Sequence, residues 1–145
     1  MKYKRLASYL LGFLLLYVCV GHVSNTAYAC RCKISDNPLR ELEKSSAVFS
    51  GKVVKVADDG NRNLVVEFIV HRIWKGRRTR SITVRTPRDG ATCGFRFIEG
   101  GNYLVYATGE VELWTNSCTR TRDIRSATED LKVLGKGEKP KQRAT

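Results

Sequence analysis

The chain lacks the signatures that several large protein classes require. It contains no glycine-rich phosphate loop of either standard spacing, so nothing supports a nucleotide-driven enzyme. No internal repeat is visible. No apolar run reaches the twenty or so residues of a membrane-spanning helix. Acidic side chains are scarce: 14 Asp and Glu stand against 26 Lys and Arg in 145 residues, a formal charge of +12. That imbalance favours anionic partners or surfaces and is silent about fold. Histidine is scarce too. His71 falls within a strand pattern without a nucleophile beside it, and Asp58-Asp59 falls in a turn, so no acid/base pair is assigned and no enzyme activity is expected. What remains is an ordinary 42% of hydrophobic residues, enough for one small domain.

The first 29 residues stand apart. Lys2, Lys4 and Arg5 are followed by the apolar run Leu10–Val20 and then by Ala27-Tyr28-Ala29, with small residues at the two positions a signal peptidase reads. This is the pattern of a secretory signal peptide, with an exported chain, extracellular or periplasmic, beginning at Cys30. His22, Ser24 and Asn25 interrupt the run too early for a membrane anchor. A lipoprotein signal, suggested by Cys30 following Ala29, is the weaker alternative because Ala27 and Tyr28 match it poorly. Residues 1–29 carry three basic and no acidic side chains, so cleavage would leave a net charge of about +9.

Cleavage would also remove Cys19 and leave an even set: Cys30, Cys32, Cys93 and Cys118. In an oxidising compartment four cysteines read as two disulfides. A zinc site is the competing reading. Metal knuckles, however, usually place two residues between paired cysteines, whereas Cys30 and Cys32 are separated by one, and His71 would be the only histidine left. Of three possible pairings, Cys30 to Cys32 would close a strained ring. Either of the others ties the new N-terminus to two distant points, each loop stabilising by about 4 kcal/mol in the idealised entropy model, though overlapping loops do not add simply.

Along the mature chain, Asn37-Pro38 reads as a helix start, with Leu39 and Leu42 facing inward and an end near Ser45. Ala47–Val56 reads as a strand ending in the turn cluster Asp58-Asp59-Gly60-Asn61. Leu64–Trp74 places Leu64, Val66, Phe68, Val70 and Trp74 on one face of a long, half-buried strand. Three further strands are expected: Ser81–Arg85, Tyr103–Ala107 and Val111–Asn116. A closing helix capped by Asp123 would bury Ile124, Ala127, Leu131 and Leu134 and stop at Gly135. Residues 136–145 read as a disordered basic tail. The expected fold is mainly β: a small five-stranded barrel with short flanking helices and two disulfides.

These segments together resemble a known family. Cys30-Arg31-Cys32 at the cleavage point, the first strand AVFSGKVVKV, the stretch CGFRFIEGGNYLVYA and the closing CTRTRDIRSATEDLKVLG are similar to the inhibitory N-terminal domain of the tissue inhibitors of metalloproteinases, within the netrin-like module family. The resemblance spans Cys30 to Gly135. It implies a Greek-key OB-fold barrel with disulfides Cys30–Cys93 and Cys32–Cys118. It further implies that the free α-amino group and carbonyl of Cys30 chelate the catalytic zinc of a secreted metalloproteinase, displacing its water. Zinc then belongs to the target, and the chain itself needs no cofactor. Cys30, Arg31, Cys32 and Lys33 with Ala91, Thr92 and Cys93 would form the inhibitory wedge. Arg31 stands where animal inhibitors carry a small or hydroxyl residue, and Lys33-Ile34 where they commonly carry valine-proline. A target pocket with acidic lining would suit Arg31.

A second function class is a netrin-like module that binds anionic polysaccharide or lipid headgroups. Arg77, Arg78, Arg80, Arg85 and Arg88 with the basic tail would supply the anion patch. Nucleic acid is not expected as a partner: Trp74, Phe95, Phe97, Tyr103 and Tyr106 read as barrel core rather than a stacking surface, and export separates the chain from such ligands. A monomer is expected.

Overall fold

The computed structural model describes residues 30–141; the expected signal peptide lies outside the described residues. Two short helices, α1 (Pro38–Lys44) and α2 (Thr128–Leu134), flank six strands: β1 (Ala47–Asp58), β2 (Asn63–Lys75), β3 (Ser81–Pro87), β4 (Asn102–Ala107), β5 (Leu113–Trp114) and β6 (Arg122–Asp123). The strands form one curled sheet in the order β5-β3-β2-β1-β4-β6. All pairings are antiparallel except β3 with β5. The mainly β, barrel-like class holds, but the expected five-stranded closed barrel becomes a six-stranded half-barrel. Its end strands are two residues long because turns and the Cys118 linkage occupy much of the chain between Thr108 and Thr121. No helix among the described residues is long and apolar enough to cross a membrane.

Two apolar clusters share the sheet. Side chains alternate across a strand, yet Ala47–Gly51 and Tyr103–Ala107 are buried without interruption. Both faces are covered there. Phe49, Tyr103, Val105 and Ala107 join Val66, Phe68, Val70, Ile82 and Val84 inside the curl. Val48, Leu104 and Tyr106 pack on the opposite face beneath Leu42, Ala127, Leu131 and Leu134 of the helical segments. Phe49, Phe68, Phe97 and Tyr103 meet edge to face, with ring centroids 4.9–5.3 Å apart.

Irregularities bend the long strands. Gly51 pairs with Val70 and Ser50 with Arg72, so His71 is an extra residue and side-chain parity flips after it. Ile73 therefore enters the inner cluster. Trp74, expected on the inner face, instead packs in the outer cluster and donates its indole N–H to the Gly135 carbonyl at 2.9 Å. Gly51 is required at this bend, since a Cβ there would lie 2.7 Å from the Ile69 carbonyl oxygen.

The helices follow their caps. The Asn37 side chain accepts from Leu39 N–H at 2.9 Å, and Pro38 occupies the first turn. Leu42 packs inward as expected, but Leu39 is 46% exposed, because seven residues present only a narrow stripe to the sheet. Asp123 caps a short 3-10 turn, Ile124–Ser126, ahead of α2, rather than α2 itself. Gly135 ends α2 at φ 73°, as its position predicts. The expectation of a disordered tail from residue 136 is overturned through Lys141. Glu138 exchanges backbone hydrogen bonds with Ile73 at 2.7 and 2.9 Å, and Lys141 N–H reaches the Arg78 carbonyl at 2.9 Å. The apolar wall supporting this segment is the Trp74 ring, against which Gly137 lies.

Candidate functional site

Residues 30–37 have no regular secondary structure, so their position must come from cross-links. Disulfides join Cys30 to Cys93 and Cys32 to Cys118, with Cα–Cα distances of 5.3 and 4.8 Å. The two anchor points are themselves neighbours. Ser117 N–H and Oγ both donate to the Cys93 carbonyl, at 2.8 and 3.1 Å. Cys118 N–H is held by Asn116 Oδ1 at 2.8 Å. All four sulfur atoms lie within 4.8 Å of one another.

The turn carrying Cys93 is built to stay rigid. Asp89 caps the 3-10 turn Gly90–Thr92, accepting from Thr92 N–H at 3.0 Å and Thr92 Oγ1 at 2.9 Å. These hydrogen bonds, aided by Arg62, hold the Asp89 carboxyl below the usual aspartate range. Cys93 closes the turn at φ 63°, a left-handed conformation that costs a non-glycine residue roughly 1 kcal/mol. Gly94 follows because any Cβ there would collide with the Pro87 carbonyl oxygen. Ala91 and Thr92 are exposed beside the linked Cys30. The structure thus brings Cys30, Arg31, Cys32 and Lys33 together with Ala91, Thr92 and Cys93 along one edge, and leaves Arg31 and Lys33 exposed.

A buried polar cluster holds the same edge from beneath. Asp130 on α2 is fully buried and accepts from Arg120 Nε at 2.8 Å, Arg120 Nη2 at 2.6 Å and the Tyr106 hydroxyl at 2.9 Å. The third guanidinium nitrogen of Arg120, Nη1, donates to the Ser35 carbonyl. One side chain therefore connects the closing helix to the N-terminal segment. Burial pushes the Asp130 carboxyl upward, but hydrogen bonds from Arg120 and Tyr106 and the charges of Arg122 and Arg120 outweigh it, and the net shift is downward. The Tyr106 hydroxyl is pushed up, first by burial and then by the Asp130 charge. Sequence reading missed this cluster, although a signal existed: Asp130 lies three residues after Ala127 and next to Leu131, an acid on the apolar face of its helix.

The five arginines expected to form an anion patch do not act as one group. Arg77, Arg78 and Arg80 are exposed in the β2–β3 loop, beside the docked C-terminal segment. Arg85 lies farther along β3 and bonds Asp59 at 2.8 Å and Glu112 at 3.0 Å, with its guanidinium 6.0 Å from the centre of the Trp114 ring. Arg88 bonds Asp58 at 2.7 Å. Of the aromatic residues assigned to the core, Phe97, Tyr103 and Tyr106 are buried, while Phe95 and Trp74 are partly buried against it. No protein-family model matches the chain, and no curated protein matches it in sequence.

Proposed function

We propose that the chain is an exported inhibitor of zinc metalloproteinases, with Cys30–Lys33 and Ala91–Cys93 as its wedge. The observation that carries this reading is the exposed, doubly cross-linked edge: two disulfides fix an irregular N-terminal segment against a capped turn. Cross-linking removes the entropy that a loose terminus would lose on docking, so a short segment can bind tightly. Two long-range disulfides also suit an oxidising, extracellular or periplasmic location. Processing at Ala29 would free the Cys30 α-amino group, which together with the Cys30 carbonyl would chelate the target's zinc and displace its nucleophilic water. The amine donates only when neutral. With an ordinary pKa near 8, inhibition weakens as pH falls below that value. Arg31 would enter the pocket beside the zinc and selects targets with acidic lining.

The test is inhibition of a panel of metalloproteinases by the processed chain and by a form carrying one added alanine before Cys30. The added residue should abolish inhibition by moving the amine away from the metal. Equal inhibition by both forms would rule out chelation.

A second reading, a module for anionic polysaccharide, is favoured by one observation. The docked tail places the backbone of Lys141 at the Arg78 carbonyl, so basic residues remote in sequence share one end of the sheet. In this reading Arg77 and Arg80 with Lys139 and Lys141 carry the binding, and Arg85 and Arg88 do not. Elution from heparin no later than a charge-matched control would exclude it.

A further inference from the structure

We infer that, once its disulfides are reduced, the chain holds a single zinc ion on the sulfurs of Cys30, Cys32, Cys93 and Cys118. The observation is the convergence of four sulfur atoms from three separate stretches of chain, all within 4.8 Å of one another. A tetrahedral zinc tetrathiolate, with Zn–S near 2.3 Å, needs sulfurs about 3.8 Å apart. Two of the unbonded separations are already close: 3.4 Å between Cys30 and Cys32, and 3.6 Å between Cys30 and Cys118. The one-residue spacing of Cys30 and Cys32 is no obstacle, because this irregular segment already brings their two sulfurs to 3.4 Å.

The surroundings suit a dianionic complex. Arg31 and Lys33 flank the ligands in sequence. The Ser117 hydroxyl lies 3.8 Å from Cys30 Sγ and can rotate from the Cys93 carbonyl to donate to a thiolate, while Ser117 N–H keeps its own bond to that carbonyl. Contacts other than the disulfides hold the frame: Ser117 with the Cys93 carbonyl, Asn116 with Cys118 N–H, and Arg120 with the Ser35 carbonyl. Loss of the S–S bonds alone therefore leaves Cys93 and the Ser117-Cys118 stretch tethered to each other, and ties the chain three residues beyond Cys32 to the buried cluster.

The chemistry balances with a phosphine as reductant. Each phosphine gives an electron pair to one S–S bond and takes an oxygen from water as phosphine oxide. Two thiols result from each disulfide, four in all. Zinc binding then forms four Zn–S bonds and releases four protons to solvent. This state uses the Cys30 sulfur, whereas the proposed inhibitor uses the Cys30 amine and carbonyl with the disulfides intact, so the two readings stand or fall separately.

The test takes the chain as its host processes it, oxidised or reduced without oxygen in excess phosphine, with Zn2+ and Co2+ salts as probes. The expected result is one zinc per reduced chain by native mass spectrometry, none on the oxidised chain, and the intense visible absorption of tetrahedral tetrathiolate cobalt. Cys93→Ser and Cys118→Ser should each weaken zinc binding at least tenfold. Because either variant alone could unfold the chain, near-ultraviolet circular dichroism of the reduced unsubstituted chain supplies a second measurement, and zinc should restore its native signal. No zinc uptake, a weak six-coordinate cobalt spectrum, equal uptake by the serine variants, or uptake without recovery of the native signal would each overturn the inference.

Discussion

The cross-linked N-terminal edge and the sheet interior are held by opposite strategies. Residues 30–37 depend on a few strong, specific links: two disulfides and one guanidinium. Ala47–Gly51 and Tyr103–Ala107 depend on burial from both faces, shared among many apolar neighbours. A segment without regular structure cannot satisfy its own backbone or bury much surface, so position must be imposed from outside. The sheet positions itself. Damage should therefore spread differently: changes in the interior lower stability everywhere, whereas changes at the cross-links release one edge.

The largest effect should come from the interior. Phe68 is fully buried and touches Phe49 and Phe97 edge to face. Phe68→Ala should cost about 4 kcal/mol in urea unfolding. Hydrogen exchange should then rise across the sheet in proportion, with no special loss at residues 30–37.

Asp130→Asn should cost about 3 kcal/mol, since it strands the buried Arg120 guanidinium without its counter-charge. Here exchange should rise first around Ser35 and the closing helix, ahead of β1 and β2. The same variant tests the pH dependence. The folded Asp130 carboxyl has its pKa lowered, so its contribution is complete above the unfolded aspartate value near 4 and is lost as pH falls through the lower folded value. The unsubstituted chain should lose stability steeply below pH about 4, and Asp130→Asn less so. Identical acid profiles would detach the cluster from stability.

The smallest effect should be at the tail. Arg78 and Glu138 form an exposed ion pair, both side chains about half exposed. Arg78→Ala should change stability by about 0.5 kcal/mol or less. A change above 1 kcal/mol would mean that the tail is part of the cooperative unit rather than an appendage to β2.

Most of this molecule was legible in its residues where a pattern repeats over several positions. Alternation in Leu64–Val70 located the inner face of β2, and Ile124, Ala127, Leu131 and Leu134 marked the inner face of the closing segment. Asn37-Pro38 marked the start of α1. Where a single residue breaks the period, the reading failed: His71 flips parity and sends Trp74 to the outer cluster. The fifth strand, expected over Val111–Asn116, shortens to Leu113–Trp114, and β6, only two residues long, carries too little pattern to be seen. At the candidate site, cysteine spacing and family resemblance pointed to residues 30–33 and 91–93. Nothing local could reveal Arg120 reaching Ser35, a contact across 85 positions.

The sequence alone determined a mainly β domain with a cysteine-rich N-terminal edge and a strongly basic surface, because composition, periodicity and capping act over neighbouring residues. Only the tertiary structure decided which charges are spent on internal pairs and which have no partner among the described residues. Arg85 and Arg88 look no different in sequence from Arg77 and Arg80, yet turns and strand register bring Asp58, Asp59 and Glu112 to the first two. It likewise decided that four sulfurs meet at one point and that a basic tail lies along Trp74. Such pairings depend on distances between segments remote along the chain, which only the folded sheet sets.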